Sequence, residues 1–324
     1  MNGAWFTFHF QDFSYSFLSI LFEGIPFLLL GSLLSGAIDA FVPAEVFSRF
    51  LPGNNIAAIA LSGMLGAIFP MCECGSVVVT RRFIRKGLPI ASAVTYMLSA
   101  PIVNPVVALS TFAAFRGQSP WVMMSLRLML GFVLAVTVGF IVQQAPMGKI
   151  LQQSIVDSVP GARRRTAFRM SAAPREEGGD LNIRLEGGGW RFKILAAVQS
   201  ATSDFLDVAF FLVVGAAITS VFNTAVNQQV IQPLATNPLL ATVAMMVLRF
   251  MLALCSTSDA FIAASFVSFP FVAKLAFLVF GAMFDIKLFF LYGIIFKRWF
   301  ILALGIGLFV AVAVLCLRLT VLNL

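Results

Sequence analysis

The sequence predicts an all-α, polytopic membrane protein. Of its 324 residues, 60% are hydrophobic and 11% charged, and the apolar residues gather in runs of twenty or more. The mean hydropathy is +0.97. Soluble domains carry about 25% charged residues, so cytosolic enzymes, secreted disulfide scaffolds and nucleic-acid binders are excluded. The net charge of +8 then reports which loops face inward rather than a DNA footprint. A β-barrel needs polar residues at period two along each strand, and no such alternation occurs. No Lys or Arg precedes Arg49. The first apolar segment therefore lacks a signal peptide's basic flank and is expected to stay in the mature protein.

A bilayer crossing takes about 20 apolar helical residues. Eight segments qualify in order: Tyr15–Phe41, Ile56–Thr80, Leu88–Phe115, Trp121–Val142, Asp204–Phe222, Pro238–Pro270, Phe271–Phe296 and Trp299–Leu322. Between the fourth and fifth, Pro146 to Lys193 holds nine of the 22 basic residues, including Arg163-Arg164-Arg165, with Pro160, Pro174 and Gly187-Gly188-Gly189. This reads as a flexible cytoplasmic linker. It divides the chain into a first transmembrane repeat (1–145), a basic linker (146–195) and a second repeat (196–324).

The halves carry matching landmarks. Glu23 and Asp207 each lie eight residues before a glycine, Gly31 and Gly215. An offset of 181 then pairs Cys74 with Cys255, Pro89 with Pro270, Asn104 with Asp285 and Arg116 with Lys297. Duplicated transporters have this organisation, with the substrate site at the repeat interface near the bilayer midplane.

Two arrangements fit. If all eight segments cross, the halves run parallel, and Lys297-Arg298 lie across the membrane from the linker. If Ile56–Thr80 and Pro238–Pro270 are instead re-entrant or broken, each half has three crossings plus that segment and the halves are inverted. The patches Arg81-Arg82 and Arg85-Lys86, the linker and Lys297-Arg298 then share the inner side. The positive-inside rule favours the inverted form, although Pro238–Leu254 is nearly long enough to cross alone.

The chemistry concentrates at interruptions. In Phe69-Pro70-Met71-Cys72-Glu73-Cys74-Gly75-Ser76, Pro70 removes a backbone donor and Gly75 frees the backbone, so the helix breaks. Non-helical backbone at membrane depth must be buried in protein or line a watery cavity. Ser76 is expected to cap the next helix and aim its positive end at Cys72 and Cys74, favouring thiolates. Thiolates bind soft metal and metalloid species. The equivalent break, Leu254-Cys255-Ser256-Thr257-Ser258-Asp259, offers capping residues and a third thiol. If the breaks meet, Cys72, Cys74 and Cys255 form a three-sulfur substrate site, with Cys72 and Cys74 as metal ligands.

Glu73, Asp259 and Asp285 are ionisable groups at membrane depth and are functional candidates on that ground. Proton coupling or site polarity is the role assigned to them. In the third segment Pro101 and Pro105 break the ladder twice, and Asn104 between them is read as lining or gating the path. Asp285 and Lys287 are expected to pair locally or with Glu73 or Asp259. Arg127 and Arg249 are read as snorkelling or structural, and Cys316 as a packing residue. No phosphate-binding loop and no C-x-x-C or His-rich metal motif occurs, so no cofactor and no self-contained ATP-driven pump is expected.

Pro70-x-Cys72-Glu73-Cys74-Gly75, Arg81-Arg82-x-x-Arg85-Lys86-Gly87-x-Pro89 and Ala100-Pro101-Ile102-Val103-Asn104-Pro105-Val106 together resemble the predicted-permease family of bacterial membrane proteins. That family includes YraQ-like proteins and the ArsP organoarsenical efflux permeases. The likeness is dense from Phe69 to about Leu109 and agrees in layout elsewhere. It implies a multi-pass permease of the bacterial inner membrane, not an enzyme. In the ArsP branch it implies trivalent arsenicals held by cysteine thiols.

The reading is therefore a secondary exporter of a soft, thiol-reactive metal or metalloid species, with the lipid bilayer and that small substrate as partners. Alternatives are a permease for an unrelated solute, a cargo-free scaffold, and a membrane thiol-disulfide oxidoreductase using Cys72 and Cys74. The C-x-C spacing disfavours the last.

Overall fold

The computed structural model describes residues 10–41, 56–69, 71–152, 155, 190–225 and 237–321. Pro70 and most of the basic linker lie outside the described residues. The helices in chain order are α1 (Phe10–Phe41), α2 (Ile56–Ile68), α3 (Glu73–Arg85), α4 (Ile90–Ser99), α5 (Pro105–Ala114), α6 (Pro120–Gln143) and the single turn α7 (Met147–Ile150). After the linker come α8 (Trp190–Ala225), α9 (Pro238–Leu252), α10 (Asp259–Ser265), α11 (Phe271–Met283), α12 (Ile286–Tyr292) and α13 (Arg298–Val321). The described chain is an all-α, polytopic membrane protein, with five stretches long and apolar enough to cross a bilayer.

Four of the eight apolar segments are each split into two helices, and caps explain the splits at Asn104 and Asp285. Asn104 caps α5 by accepting from the Val106 N–H at 2.9 Å, with Pro105 at the first helical turn. That is where the missing proline donor costs nothing. Asp285 caps α12 in the same manner, accepting from the Leu288 N–H at 2.7 Å. Pro89 and Pro270 occupy the N-cap positions of α4 and α11. Gly87, at φ +92°, turns the chain between α3 and α4 in the left-handed region that favours glycine. Thus the pairs Asn104/Asp285 and Pro89/Pro270 do the same local work in both halves.

Contacts trace the path. Gly24 of α1 meets Leu212 of α8, whereas Gly36 meets Ala197 and Ala201, so α1 and α8 pack antiparallel through small residues, as membrane helices do. Ile59 of α2 lies against Gly139, near the end of α6, while Gly66 lies deeper against Ala100 and Val103. α3 then returns beside α1: Gly31 touches Gly75, and Ser35 touches Arg82. The segment from Ile56 to Arg85 therefore enters and leaves at one end of the bundle, the end that also holds the start of α8.

At that same end the chain leaving α6 docks on the turn before α13. Leu151 and Phe296 form an isolated antiparallel bridge, and the Lys297 N–H donates to the Ile150 carbonyl at 2.9 Å. Eight complete crossings would put Lys297 at the opposite end from these residues. At the distal end, Gln118 ties the α5–α6 turn to the Ala264 carbonyl of α10 and to Lys274 of α11. The most enclosed elements are α4, buried at every position, and α11, buried everywhere but Phe271, with Phe277 and Phe280 at its heart.

Candidate functional site

The first break begins at Cys72. The helix starts at Glu73, and its N-cap is Cys72, whose sulfur accepts from the Gly75 N–H at 3.3 Å. The positive end of α3 thus points at a thiol, as expected, but the cap is Cys72 rather than Ser76. Ser76 is buried and donates to the carbonyls of Glu73 at 2.8 Å and Met97 at 3.3 Å. Opposite Gly75 a glycine is needed at position 31: a Cβ there would sit 2.8 Å from the Gly75 Cα, so α1 and α3 cross almost backbone to backbone.

The second break turns at Ala253, a non-glycine residue at φ 42°. The left-handed region costs about 1–2 kcal/mol for such a residue. The Ala253 carbonyl accepts from Lys287 Nζ at 3.4 Å, and Arg249 Nη2 donates to the next carbonyl, Leu254, at 2.8 Å. α10 follows with Ser258 at its N-cap, making no side-chain cap bond. The Ser258 hydroxyl donates instead to Glu23 of α1. Thr257 donates to the Cys255 sulfur at 3.6 Å. Asp259 is the first residue of α10 rather than a cap.

Behind both breaks lies a buried set of six charges. Arg127 Nη2 is 3.0 Å from Asp259 Oδ2, and Arg249 Nη2 is 3.7 Å from the same oxygen. Arg249 also reaches Glu73 Oε1 at 3.3 Å and Asp285 Oδ2 at 3.5 Å. Lys287 Nζ closes the set on Glu73 Oε2 at 3.3 Å and Asp285 Oδ2 at 3.9 Å. Three cations face three carboxylates, and none of the six is more than 5% exposed. An unpaired charge at this depth is expensive; the alternation makes the set neutral. Arg127 further donates to Thr111 of α5 at 2.9 Å and to the Ser256 carbonyl at 3.0 Å.

In front of the breaks is a cavity of about 350 Å³. Cys72, Glu73 and Cys74 line it from the first break, Ala253, Leu254 and Cys255 from the second, and Lys287 from α12. α1 contributes Tyr15, Ser16, Ser19 and Glu23, and Tyr15 is 74% exposed, so the cavity opens at the distal end. Toward the linker end it is shut. Arg82 Nη2 pairs with Asp204 Oδ2 at 2.7 Å, Ser35 donates to the same oxygen at 2.7 Å, and Arg81 pairs with Asp207 at 2.7 Å.

The three thiols singled out by sequence therefore face one space. They are free, Cys72 and Cys255 half-buried and Cys74 buried. Among the described residues no group of three or more Cys, His, Asp or Glu is spaced to hold a metal ion, so the three-sulfur centre is not preformed. Glu73 lines the cavity. Asp259 and Asp285 lie behind it in the charge set, and Asp285 doubles as a cap. Gly75 and Ser76 shape the first break without lining the cavity, and so do Ser256, Thr257 and Ser258 at the second.

Pro101, Asn104 and Pro105 are not brought to the cavity lining either. Asn104 donates to the Met71 carbonyl at 3.4 Å, tying the two breaks of the first half together, and Pro105 is exposed. Arg127 and Arg249 do not snorkel; they are wholly enclosed. Cys316 packs in the core of α13.

Sequence reasoning missed Glu23 as a site residue. Its signals were an acidic side chain inside an apolar segment and its place eight residues before Gly31, matching Asp207, which the structure puts on Arg81 at the other end of the bundle.

A family profile described as "Predicted permease" matches residues 9–320. The chain belongs to that family. Across most of its length this permease is also similar to the UPF0718 protein YcgR of Bacillus subtilis, at 36% identity over 289 residues, 89% of this chain and 90% of the relative. A Streptococcus mutans protein named "Putative two-component membrane permease complex subunit" is 33% identical over 287 residues, covering 88% and 87%. No solved structure matches the chain. The family match spans both halves of the permease, so the cavity between them lies wholly within the shared region.

Proposed function

We propose that this permease is a secondary exporter of a soft, thiol-reactive metal or metalloid species, trivalent arsenicals being the type case. The observation that carries the reading is the convergence of Cys72, Cys74 and Cys255, from both halves, on one cavity. Cysteine sulfur is suited to soft centres, and the number of thiols lets a substrate exchange partners as the cavity changes shape. Inverted halves are the second part of the proposal. They are supported by the antiparallel packing of α1 on α8 and by the shared end of Lys297 and the linker's start. The basic linker is then cytoplasmic in a bacterial inner membrane, and the cavity faces outward.

Rocking of one half on the other would expose the same thiols inward once the Arg82–Asp204 contacts part. Coupling by proton exchange falls to Glu73, the one carboxylate of the charge set that lines the cavity, whereas Asp259 and Asp285 lie behind it. A partner subunit is a further part of the proposal, taken from the name of the S. mutans relative. A thiol oxidoreductase is the second reading, favoured by the presence of Cys72 and Cys74 together on one wall of the cavity.

The deciding experiment is transport in everted vesicles across a panel of trivalent metalloids and soft metals, with Cys72→Ser and Cys74→Ser. A serine at 72 still caps α3, so the fold is kept while the thiol is lost. Loss of transport in both variants supports thiol ligation. Unchanged transport removes it and leaves the permease assignment intact. A Cys72–Cys74 disulfide that cycles with a quinone or thioredoxin would instead favour the oxidoreductase.

A further inference from the structure

A second apolar space lies away from the thiol cavity, between α6 and α13. It is a slot of about 330 Å³ with Ile141 on one wall and Ala303, Gly307 and Ala311 on the other. Small residues at intervals of four form a flat stripe of the kind that neighbours approach closely in membranes. Here the stripe is bare: a Cβ added at Gly307 would meet nothing within 4 Å. Lys149 and Trp299 line the end of the slot nearest the linker.

That end is a built lip. The Gln152 N–H donates to the Ile295 carbonyl at 3.0 Å, the Lys297 N–H to Ile150, and Lys297 Nζ to the Gly148 carbonyl. These bonds hold Lys149 beside the start of α13, where Arg298 and Trp299 are both exposed. The sequence has no Asp or Glu from Gly131 to Gln152 and none after Asp285, so the cations of the lip have no acid on their own segments. Exposed Trp marks the membrane–water interface, and basic residues between transmembrane helices at that level select anionic head groups.

We propose that this slot binds an anionic phospholipid. One acyl chain lies along Ala303, Gly307 and Ala311, and the phosphate sits at Lys149 beside Trp299. The charge of the lip decides the occupant, because a partner helix of plain apolar sequence would leave those cations unanswered. The site does not depend on the cargo of the thiol cavity.

The test uses the full-length protein in nanodiscs, in a variant keeping Trp299 as its only tryptophan. Acyl-brominated phosphatidylglycerol and acyl-brominated phosphatidylcholine are titrated in turn, and quenching of Trp299 is read. Each cation near a membrane surface is worth about a fivefold change in affinity for an anionic lipid. Phosphatidylglycerol is therefore expected to quench at lower mole fraction, and Lys149→Gln to lower that preference about fivefold, whereas Arg298→Gln, on the other face of α13, is expected to change it much less.

Gly307→Leu, which fills open space, is expected to weaken quenching by phosphatidylglycerol without altering the fold. Equal quenching by both lipids, or a preference that survives Lys149→Gln, overturns the proposal. Absence of quenching by either lipid, with cross-linking of copies through Gly307→Cys, overturns it in favour of a protein–protein contact.

Discussion

Arg249 is the hub of the buried charges, touching Glu73, Asp259 and Asp285 at once. Arg249→Met would leave three carboxylates facing two cations. Breaking a buried pair from one side costs about 3–5 kcal/mol, so a large fall in the melting temperature of the detergent-solubilised protein is expected. Arg249→Lys is not a rescue, because one ammonium cannot serve the three carboxylates that a planar fork reaches. Arg127→Met with Asp259→Leu removes a cation and an anion together and is expected to cost much less than Arg127→Met alone. Gly281 belongs to the same account: a Cβ there would collide with the Arg249 side chain, so Gly281→Ala is expected to behave as a weaker version of Arg249→Met.

The broken helices separate capping from charge. Asn104→Ala removes the α5 cap, at about 1 kcal/mol, with no change in the ionic balance. Asp285→Asn keeps a side chain able to cap α12 but leaves the six-charge set with one excess cation. The asparagine variant at 285 is therefore expected to melt lower than the alanine variant at 104, although it loses no cap. Where α1 crosses α3, Gly31→Ala would place a methyl 2.8 Å from the Gly75 backbone. Overpacking of this kind costs about 1–3 kcal/mol and is expected to disturb the thiols as well, read as a changed rate of Cys72 alkylation.

Much of this was legible in the chain. Paired prolines and a cap-competent Asn104 announce a break by local chemistry alone, and the 181-residue offset finds Asp285 as its counterpart. Glu23 meeting Ser258 was not legible, since the two are 235 residues apart and no periodicity links them. The enclosure of Arg127 and Arg249 was hidden for the same reason. Snorkelling and burial look alike in an apolar run until the depth of every neighbouring helix is known.

At the scale of the molecule, the antiparallel contact of α1 and α8 gives a direct test of architecture. In a background without native cysteines, the pairs Gly24→Cys with Leu212→Cys and Gly36→Cys with Ala201→Cys are expected to cross-link. The exchanged pairs, 24 with 201 and 36 with 212, are expected not to. An impermeant thiol reagent is likewise expected to reach Arg85→Cys and Lys297→Cys from the same face of the membrane; labelling from opposite faces would rule out inverted halves.

The origin of the six buried charges also bears on how the protein is made. Glu73 and Arg127 come from the first half, and their ionic partners Arg249, Lys287 and Asp259 all come from the second. Once residues 1–145 have left the ribosome and entered the bilayer, they carry two ions whose counter-ions lie in the unfinished second half. Such a nascent intermediate must be shielded by the insertion machinery or face quality-control proteases. Residues 1–145 expressed alone should have a short half-life in a pulse-chase experiment, lengthened by supplying residues 196–324 from a second gene.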